Sequence, residues 1–103
     1  MELFKNMIYE YKKGMRDLAL YTCENKDSEQ YTELLRKLDI SYLTIVPGNN
    51  KVNIFFGKPE CLDILKKFSD IELNKISPYE DFILGIMLGY SRDEQYNRIL
   101  SKI

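Results

Sequence analysis

The chain is poor in the residue types that build most catalytic and metal sites. Its 103 residues include no histidine and only two cysteines, five glycines and three prolines. The absence of histidine excludes His-based catalytic dyads and triads and removes the commonest ligand of transition metals. Two cysteines, Cys23 and Cys61, are too few for a structural zinc site, and the sequence has no glycine-rich phosphate-binding motif. We therefore expect no metal site, no cofactor and no catalytic residues.

Neither sign of charge is in excess. The chain has 15 basic and 16 acidic residues, which gives a net charge of −1. Proteins that bind nucleic acids gather an excess of basic residues on one face, because they must neutralise phosphates. We therefore expect no nucleic-acid partner.

Long apolar runs and targeting signals are also missing. The longest uncharged apolar stretch covers residues 82–90, which is far short of the roughly 20 residues that span a membrane. Residues 1–7 lack the basic region of a secretory signal peptide. We therefore expect a cytoplasmic protein without membrane contact, in which both cysteines are free thiols.

The composition that remains is that of one ordinary globular domain. Apolar residues make up 45% of the chain and charged residues 30%, which is typical of a soluble fold. The length predicts a single domain over residues 1–103.

The N-terminal segment fits two kinds of secondary structure. Side chains alternate between apolar and polar from Asn6 to Lys12, which predicts a strand, and residues 13–14 form a turn. A second strand follows over residues 16–23. A helix over Glu2–Lys13 is the alternative, because apolar residues also recur four positions apart. The β-branched and aromatic pair at 8–9 favours the strand, and the helix stays open.

The other elements have clearer start signals. Capping residues or a first-turn proline predict helices that begin at Asp27, Pro59, Ser77 and Ser91. Strands over residues 41–46 and 52–56 flank a turn at 47–50. The last helix carries these apolar residues on one side: Tyr96, Ile99, Leu100 and Ile103.

Taken in order, these elements predict an α+β fold of the form ββαββαα. The sheet would have four antiparallel strands in the order 1-2-4-3, with two helices on one face. This arrangement resembles a ferredoxin-like sandwich whose last strand has moved to the front.

The two faces of the predicted sheet differ in what covers them. One face is core under the amphipathic helices and carries Leu18, Leu20, Leu43, Ile45, Val52, Ile54 and Phe56. The other carries Ala19, Tyr21, Cys23, Tyr42, Thr44, Val46 and Phe55. A sheet face in water is normally polar, so we expect this apolar face to be covered either by the C-terminal helices or by a second subunit or another protein.

The helix over residues 82–90 raises the same question. It is apolar all round, which is typical of a helix buried on more than one side. Gly85 and Gly89 lie four residues apart on one stripe. They predict close approach of a neighbouring element, either the chain's own sheet or a helix of a second subunit.

Two groups of residues are candidates for a functional site. The predicted interaction surface consists of Tyr21, Tyr42, Val46, Phe55, Phe82, Met87 and Tyr90. Cys61 is a weaker candidate for a reactive thiol, because it lies in the first turn of a helix near Lys58. It also lies on the apolar stripe of that helix, which favours a buried and inert thiol.

Three motifs resemble a small bacterial family that is described only as a domain of unknown function. The first runs from Ile8 to Tyr11 and, after Gly14, from Arg16 to Thr22. The second covers residues 52–57, and the third covers residues 80–90 with Gln95 beyond. The resemblance implies cytoplasmic proteins of anaerobes, sometimes encoded near flavodoxins, and an accessory role in flavin electron transfer. Relatives are expected to carry a cysteine after that glutamine, whereas this chain has Tyr96.

The leading hypothesis is a non-enzymatic protein-binding or self-associating adaptor domain, with a homodimer or a flavodoxin-like protein as partner. It predicts that Tyr21→Glu or Phe55→Glu breaks association without unfolding the chain. The alternative is a ferredoxin-like sensor of small ligands, with a pocket between the sheet and the C-terminal helices. Arg16, Asn53 or Tyr9 would point into that pocket.

Overall fold

The computed structural model describes residues 1–70 and 72–103. The helices are α1 (Glu2–Lys12), α2 (Ser28–Lys37), α3 (Pro59–Lys66), α4 (Pro78–Met87) and α5 (Arg92–Lys102). The strands are β1 (Leu18–Glu24), β2 (Tyr42–Gly48) and β3 (Lys51–Gly57), and a 3-10 turn at Asn25–Asp27 precedes α2.

The strands form one antiparallel sheet in the order β1-β3-β2. Leu18 pairs with Gly57 and Glu24 with Lys51, so β3 lies against the whole length of β1. β2 and β3 form a hairpin through Asn49 and Asn50. Both asparagines have positive φ, of 55° and 58°, as a two-residue hairpin turn that follows the strand twist requires. Since β1 and β2 both run antiparallel to β3, they are parallel to each other, and α2 makes the crossover between them.

One face of the sheet is covered by α1 and α2. Phe4 is the centre of this core, with its ring 5.2 Å from that of Phe56 and 4.8 Å from that of Tyr31. The buried members of this core are Phe4, Met7, Ile8, Ala19, Cys23, Tyr31, Leu35, Ile40, Val52, Ile54 and Phe56.

The opposite face is covered by α3 and α4. Its buried members are Leu18, Ile45, Phe55, Cys61, Leu62, Leu65, Leu84, Met87 and Leu88. The sheet is therefore the middle layer of three, and both of its faces are closed by helices of the same chain.

The predicted strand over Asn6–Lys12 is wrong, and the alternative helix is present. A strand would bury Met7, Tyr9 and Tyr11 together, but Tyr9 is 59% exposed. The buried residues Phe4, Met7 and Ile8 follow helical spacing instead. The α+β class is right, whereas the fourth strand and the ferredoxin-like sandwich built on it are wrong. Helices also cover both faces of the sheet rather than one.

The predicted faces are wrong for β3. Phe55 pairs with Leu20 and Leu43 and shares their face. Val52, Ile54 and Phe56 lie on the other face, with Ala19 and Cys23. The alternation within β3 is as predicted, but its predicted register against the other strands is wrong by one residue, which exchanges the two faces. The predicted cover of the second face by the C-terminal helices is wrong, because α1 and α2 close it.

No helix in the described ranges is long and apolar enough to cross a membrane.

Candidate interaction surface

The C-terminal helix pair begins with the strongest capping signal of the chain. The Ser77 hydroxyl accepts a hydrogen bond from the Glu80 backbone N–H at 3.1 Å, and the Glu80 carboxylate accepts one from the Ser77 N–H at 2.9 Å. Pro78 occupies the first turn, where its missing N–H costs nothing. Glu80 also accepts the backbone N–H of Ser69 at 2.8 Å. These donors from Ser77 and Ser69 lower the pKa of Glu80, and they fix the start of α4 against the preceding segment.

The pairing of α5 with α4 depends on Gly85. A Cβ at this position would overlap the side-chain amide of Gln95. Gln95 is the buried residue of α5, so it occupies the space that the glycine leaves open. A group does approach Gly85 closely, but it is a side chain of this chain's own last helix, whereas the predicted neighbours were the sheet or a helix of a second subunit.

A cluster of ion pairs also joins α5 to α4, and we call this contact between the two helices the seam. Arg98 donates to the Asp81 carboxylate through Nε at 2.6 Å and Nη2 at 3.2 Å, and the Lys102 ammonium lies 3.2 Å from it. The bond from Arg98, followed by that from Lys102, lowers the pKa of Asp81. Helix α5 thus turns its polar residues Gln95, Arg98 and Lys102 toward α4.

The apolar stripe of α5 consequently faces outward. Tyr96, Ile99, Leu100 and Ile103 have the spacing of one helix face, and Leu100 is 68% exposed. Amphipathic helices in a globular protein normally bury their apolar stripe, so α5 is packed the opposite way round.

Helix α4 presents a matching stripe on the same side. Its inner residues Leu84 and Met87 are buried in the core, together with Leu88 directly after the helix. Its outer side has the same i, i+3, i+4, i+7 spacing and consists of Tyr79, Phe82, Ile83 and Ile86, of which Ile86 is 38% exposed.

The two stripes meet where Phe82 stacks on Tyr96, with ring centroids 6.0 Å apart and planes 23° apart. We call the combined surface the hairpin face. Its members are Tyr79, Phe82, Ile83, Ile86, Tyr96, Ile99, Leu100 and Ile103.

The structure does not bring the predicted interaction residues together. Phe55 and Met87 are buried in the core under α3 and α4. Tyr21 and Tyr42 lie on the other face of the sheet, where their hydroxyls bond Tyr31 at 3.2 Å and Arg36 at 2.8 Å.

The other predicted residues lie at the surface or in the helix pair. Val46, near the end of β2, and Tyr90, in the α4–α5 loop, are exposed. Phe82 is the predicted residue that belongs to the hairpin face. The α5 members of the hairpin face are visible in the sequence as the apolar side of the last helix. Amphipathicity alone, however, predicts that this side is buried in the core.

The sequence profile of one protein family matches residues 2–102, and the family is described as "Protein of unknown function (DUF2023)". The chain belongs to this family. The expectation of an uncharacterised family is therefore confirmed. A search of curated proteins found no match.

In this DUF2023 domain both cysteines are buried free thiols. Burial raises the pKa of Cys61, and Asp17 raises it further, which outweighs the lowering effect of Lys58. Burial likewise raises the pKa of Cys23. A reactive thiol needs a lowered pKa and access to solvent, and Cys61 has neither.

The DUF2023 domain also contains an apolar crevice of about 190 Å³ between the sheet and α3. Its lining consists of Leu43, Ile45, Phe55, Leu65, Lys66, Phe68 and Leu73. The residues predicted to point into a ligand pocket do not line it. Arg16 pairs with Glu10 at 3.4 Å, and Tyr9 is exposed. Asn53 accepts a hydrogen bond from the Thr22 hydroxyl at 2.7 Å. Within residues 1–70 and 72–103, no cluster of three Cys, Asp or Glu side chains could hold a metal ion.

Proposed function

We propose that this protein is a non-enzymatic binding domain that docks an apolar helical surface of a partner protein on its hairpin face. The observation that carries the proposal is the apolar stripe of α5, which is exposed, whereas the polar side of the helix faces α4 and buries Gln95. Exposed contiguous apolar surface of this kind marks interaction sites in soluble proteins.

The composition of the hairpin face defines the chemistry of the partner. Its members are tyrosine, phenylalanine, isoleucine and leucine, and no charged side chain belongs to it. Aromatic side chains are enriched at the centres of protein interfaces, where charged ones are depleted. A charged ligand would lose hydration here without gaining an ion pair, so the partner surface is apolar as well.

The shape of the face favours a helical partner. Side chains three and four residues apart form ridges on a helix, which pack into the grooves of another helix, and both stripes have this spacing. Amphipathic helices bind such grooves through anchors with the same i, i+3, i+4, i+7 spacing.

Photo-crosslinking at one position tests this function. A benzophenone amino acid replaces Leu100 in the full chain, expressed in the cells of its natural source. The matched control carries the same amino acid at Leu3, which is 63% exposed on α1. We expect irradiation to give protein adducts at position 100 and not at position 3. Adducts are identified by mass spectrometry, and a flavodoxin-like protein is probed by antibody. Equal or absent adducts at the two positions would refute the function.

The apolar crevice supports a second candidate, a site for a small apolar acid. Its volume of about 190 Å³ exceeds that of an engineered apolar cavity of about 150 Å³ that binds benzene. Lys66 lines it and lies 4.0 Å from Asp63, a loose pair that leaves its ammonium available to a carboxylate.

Thermal unfolding with hexanoate tests the second candidate. We expect millimolar hexanoate to raise the Tm of the wild type, because a ligand that binds only the folded state stabilises it. Lys66→Gln should reduce this rise, and hexanol should give a smaller rise than hexanoate. An unchanged Tm with both compounds would exclude the crevice as a binding site for molecules of this kind.

A further inference from the structure

We propose that the occupant of the hairpin face is the hairpin face of a second copy, so that two α4–α5 pairs form a four-helix contact about a two-fold axis. This inference rests on the proposed function and names its partner. In such a contact the same patch serves both subunits, which is the commonest form of homodimer.

The first argument is the geometry of the stripes. Both helices present apolar residues at i, i+3, i+4 and i+7, and the stripes are joined side by side through Phe82 and Tyr96. Two antiparallel helices with adjoining apolar stripes are half of a four-helix bundle, which needs a second such pair to complete its core. A second copy supplies that pair without any other protein.

The second argument is area. Aromatic side chains have about 150–250 Å² of surface, and isoleucine and leucine come near the lower end of that range. Six members of the hairpin face are between 38% and 68% exposed. The face therefore offers on the order of 600 Å² per copy, against about 800 Å² per partner in a standard interface. Two copies would bury about 1,200 Å², the lower end of the range for specific interfaces. We expect a dimer that dissociates on dilution.

The third argument is charge. The chain has a net charge of −1, so two copies repel each other only weakly. Since the polar residues Gln95, Arg98 and Lys102 are already engaged along the seam with α4, association need not break an ion pair.

Light scattering over a concentration series tests the inference with the full chain. We expect the mass of the wild type to rise from 12.2 kDa toward twice that value. Leu100→Glu and Ile86→Glu each place a charge in the contact, and should raise the dimer Kd by at least about 30-fold, as loss of an interface anchor does. Leu3→Glu and Met15→Glu are matched controls on exposed apolar residues outside the hairpin face, and should dimerise as the wild type does.

Each result decides the question. A wild type that stays at 12.2 kDa at every concentration overturns self-association. A crosslink from position 100 to a different protein would then leave the proposed function standing. A dimer that persists in both hairpin-face variants also overturns the inference, because it must use another surface. Circular dichroism checks that each variant is folded, and Leu100→Ser replaces Leu100→Glu if the charged variant unfolds.

Discussion

At the residue scale, Gly85 shows how one absent side chain positions a helix. Alanine is about 1 kcal/mol better than glycine within a helix, yet a Cβ at this position overlaps the buried Gln95 amide. We expect Gly85→Ala to destabilise the wild type by about 1 kcal/mol, because overpacking outweighs the gain in helix propensity. In a Gln95→Ala background the same change should stabilise by up to about 1 kcal/mol.

Urea unfolding of the four proteins of this double-mutant cycle measures the coupling between the two positions. Equal effects of Gly85→Ala in both backgrounds would show that the glycine does not serve the approach of Gln95.

Asp81 gives the seam between α4 and α5 a dependence on pH. Arg98 and then Lys102 hold the pKa of Asp81 below its ordinary value of 3.8. A carboxylate with a lowered pKa stabilises the fold at pH above the unfolded value, and this contribution is lost as the pH falls through the folded pKa. We expect Asp81→Asn to cost about 1 kcal/mol at pH 7 and progressively less below pH 3.8.

Urea unfolding of wild type and Asp81→Asn between pH 7 and the acid limit of folding measures this difference. A cost that is the same across the whole range would show that the carboxylate contributes through packing rather than charge.

At the element scale, the start signals of helices were more informative than side-chain alternation. The capping box of Ser77 predicts the start of α4 correctly, and Pro59 predicts that of α3. Both signals act within one helical turn, so they can be recognised from the sequence alone. The segment that became α1 could not be assigned in this way, since Met1 provides no side-chain cap. Its helical stripe begins at Phe4, which lies outside the segment from which the strand was inferred.

The Ser77 cap should therefore be worth a measurable part of the stability. Ser77→Ala removes the acceptor of the Glu80 N–H and leaves that donor without its partner, which typically costs about 1 kcal/mol. Ser91 is the matched control, because its hydroxyl accepts from Glu94 at 3.5 Å in an exposed position. We expect Ser91→Ala to cost less in urea unfolding than Ser77→Ala. If Ser91→Ala cost more than Ser77→Ala, packing rather than the Ser77 cap would determine where α4 begins.

At the scale of the whole molecule, two facts lay beyond local patterns. The registration of β3 depends on contacts with β1 and β2, which are distant in sequence, so a shift of one residue exchanged the faces. The direction of α5 depends on Gly85, which leaves room for the Gln95 side chain, and on Asp81, which pairs with Arg98. The stripe of α5 was visible in the sequence, but amphipathicity gives no indication that it faces outward.

The three-layer arrangement predicts which sheet residues tolerate a charge. Phe55 and Phe56 point to opposite faces, and each is 0% exposed. In a two-layer fold with one face kept for a partner, Phe55→Glu would stay folded and only lose association. With both faces closed by helices, a carboxylate at either position is buried without a counter-ion and leaves the volume of a ring poorly filled. We therefore expect Phe55→Glu and Phe56→Glu each to cost more than about 4 kcal/mol, a large share of the 5–15 kcal/mol typical of a domain.

Urea titration followed by circular dichroism measures the free energy of unfolding of each variant. Thr44→Glu is the control, because Thr44 is exposed on the same sheet. Both phenylalanine variants should unfold at a much lower urea concentration or lose the cooperative transition altogether, whereas Thr44→Glu should unfold close to the wild type. A Phe55→Glu protein that remains folded and monomeric would mean that α3 and α4 do not seal that face of the sheet. The outward orientation of the hairpin face would then have no support, because it depends on the inner side of α4 being held in the core.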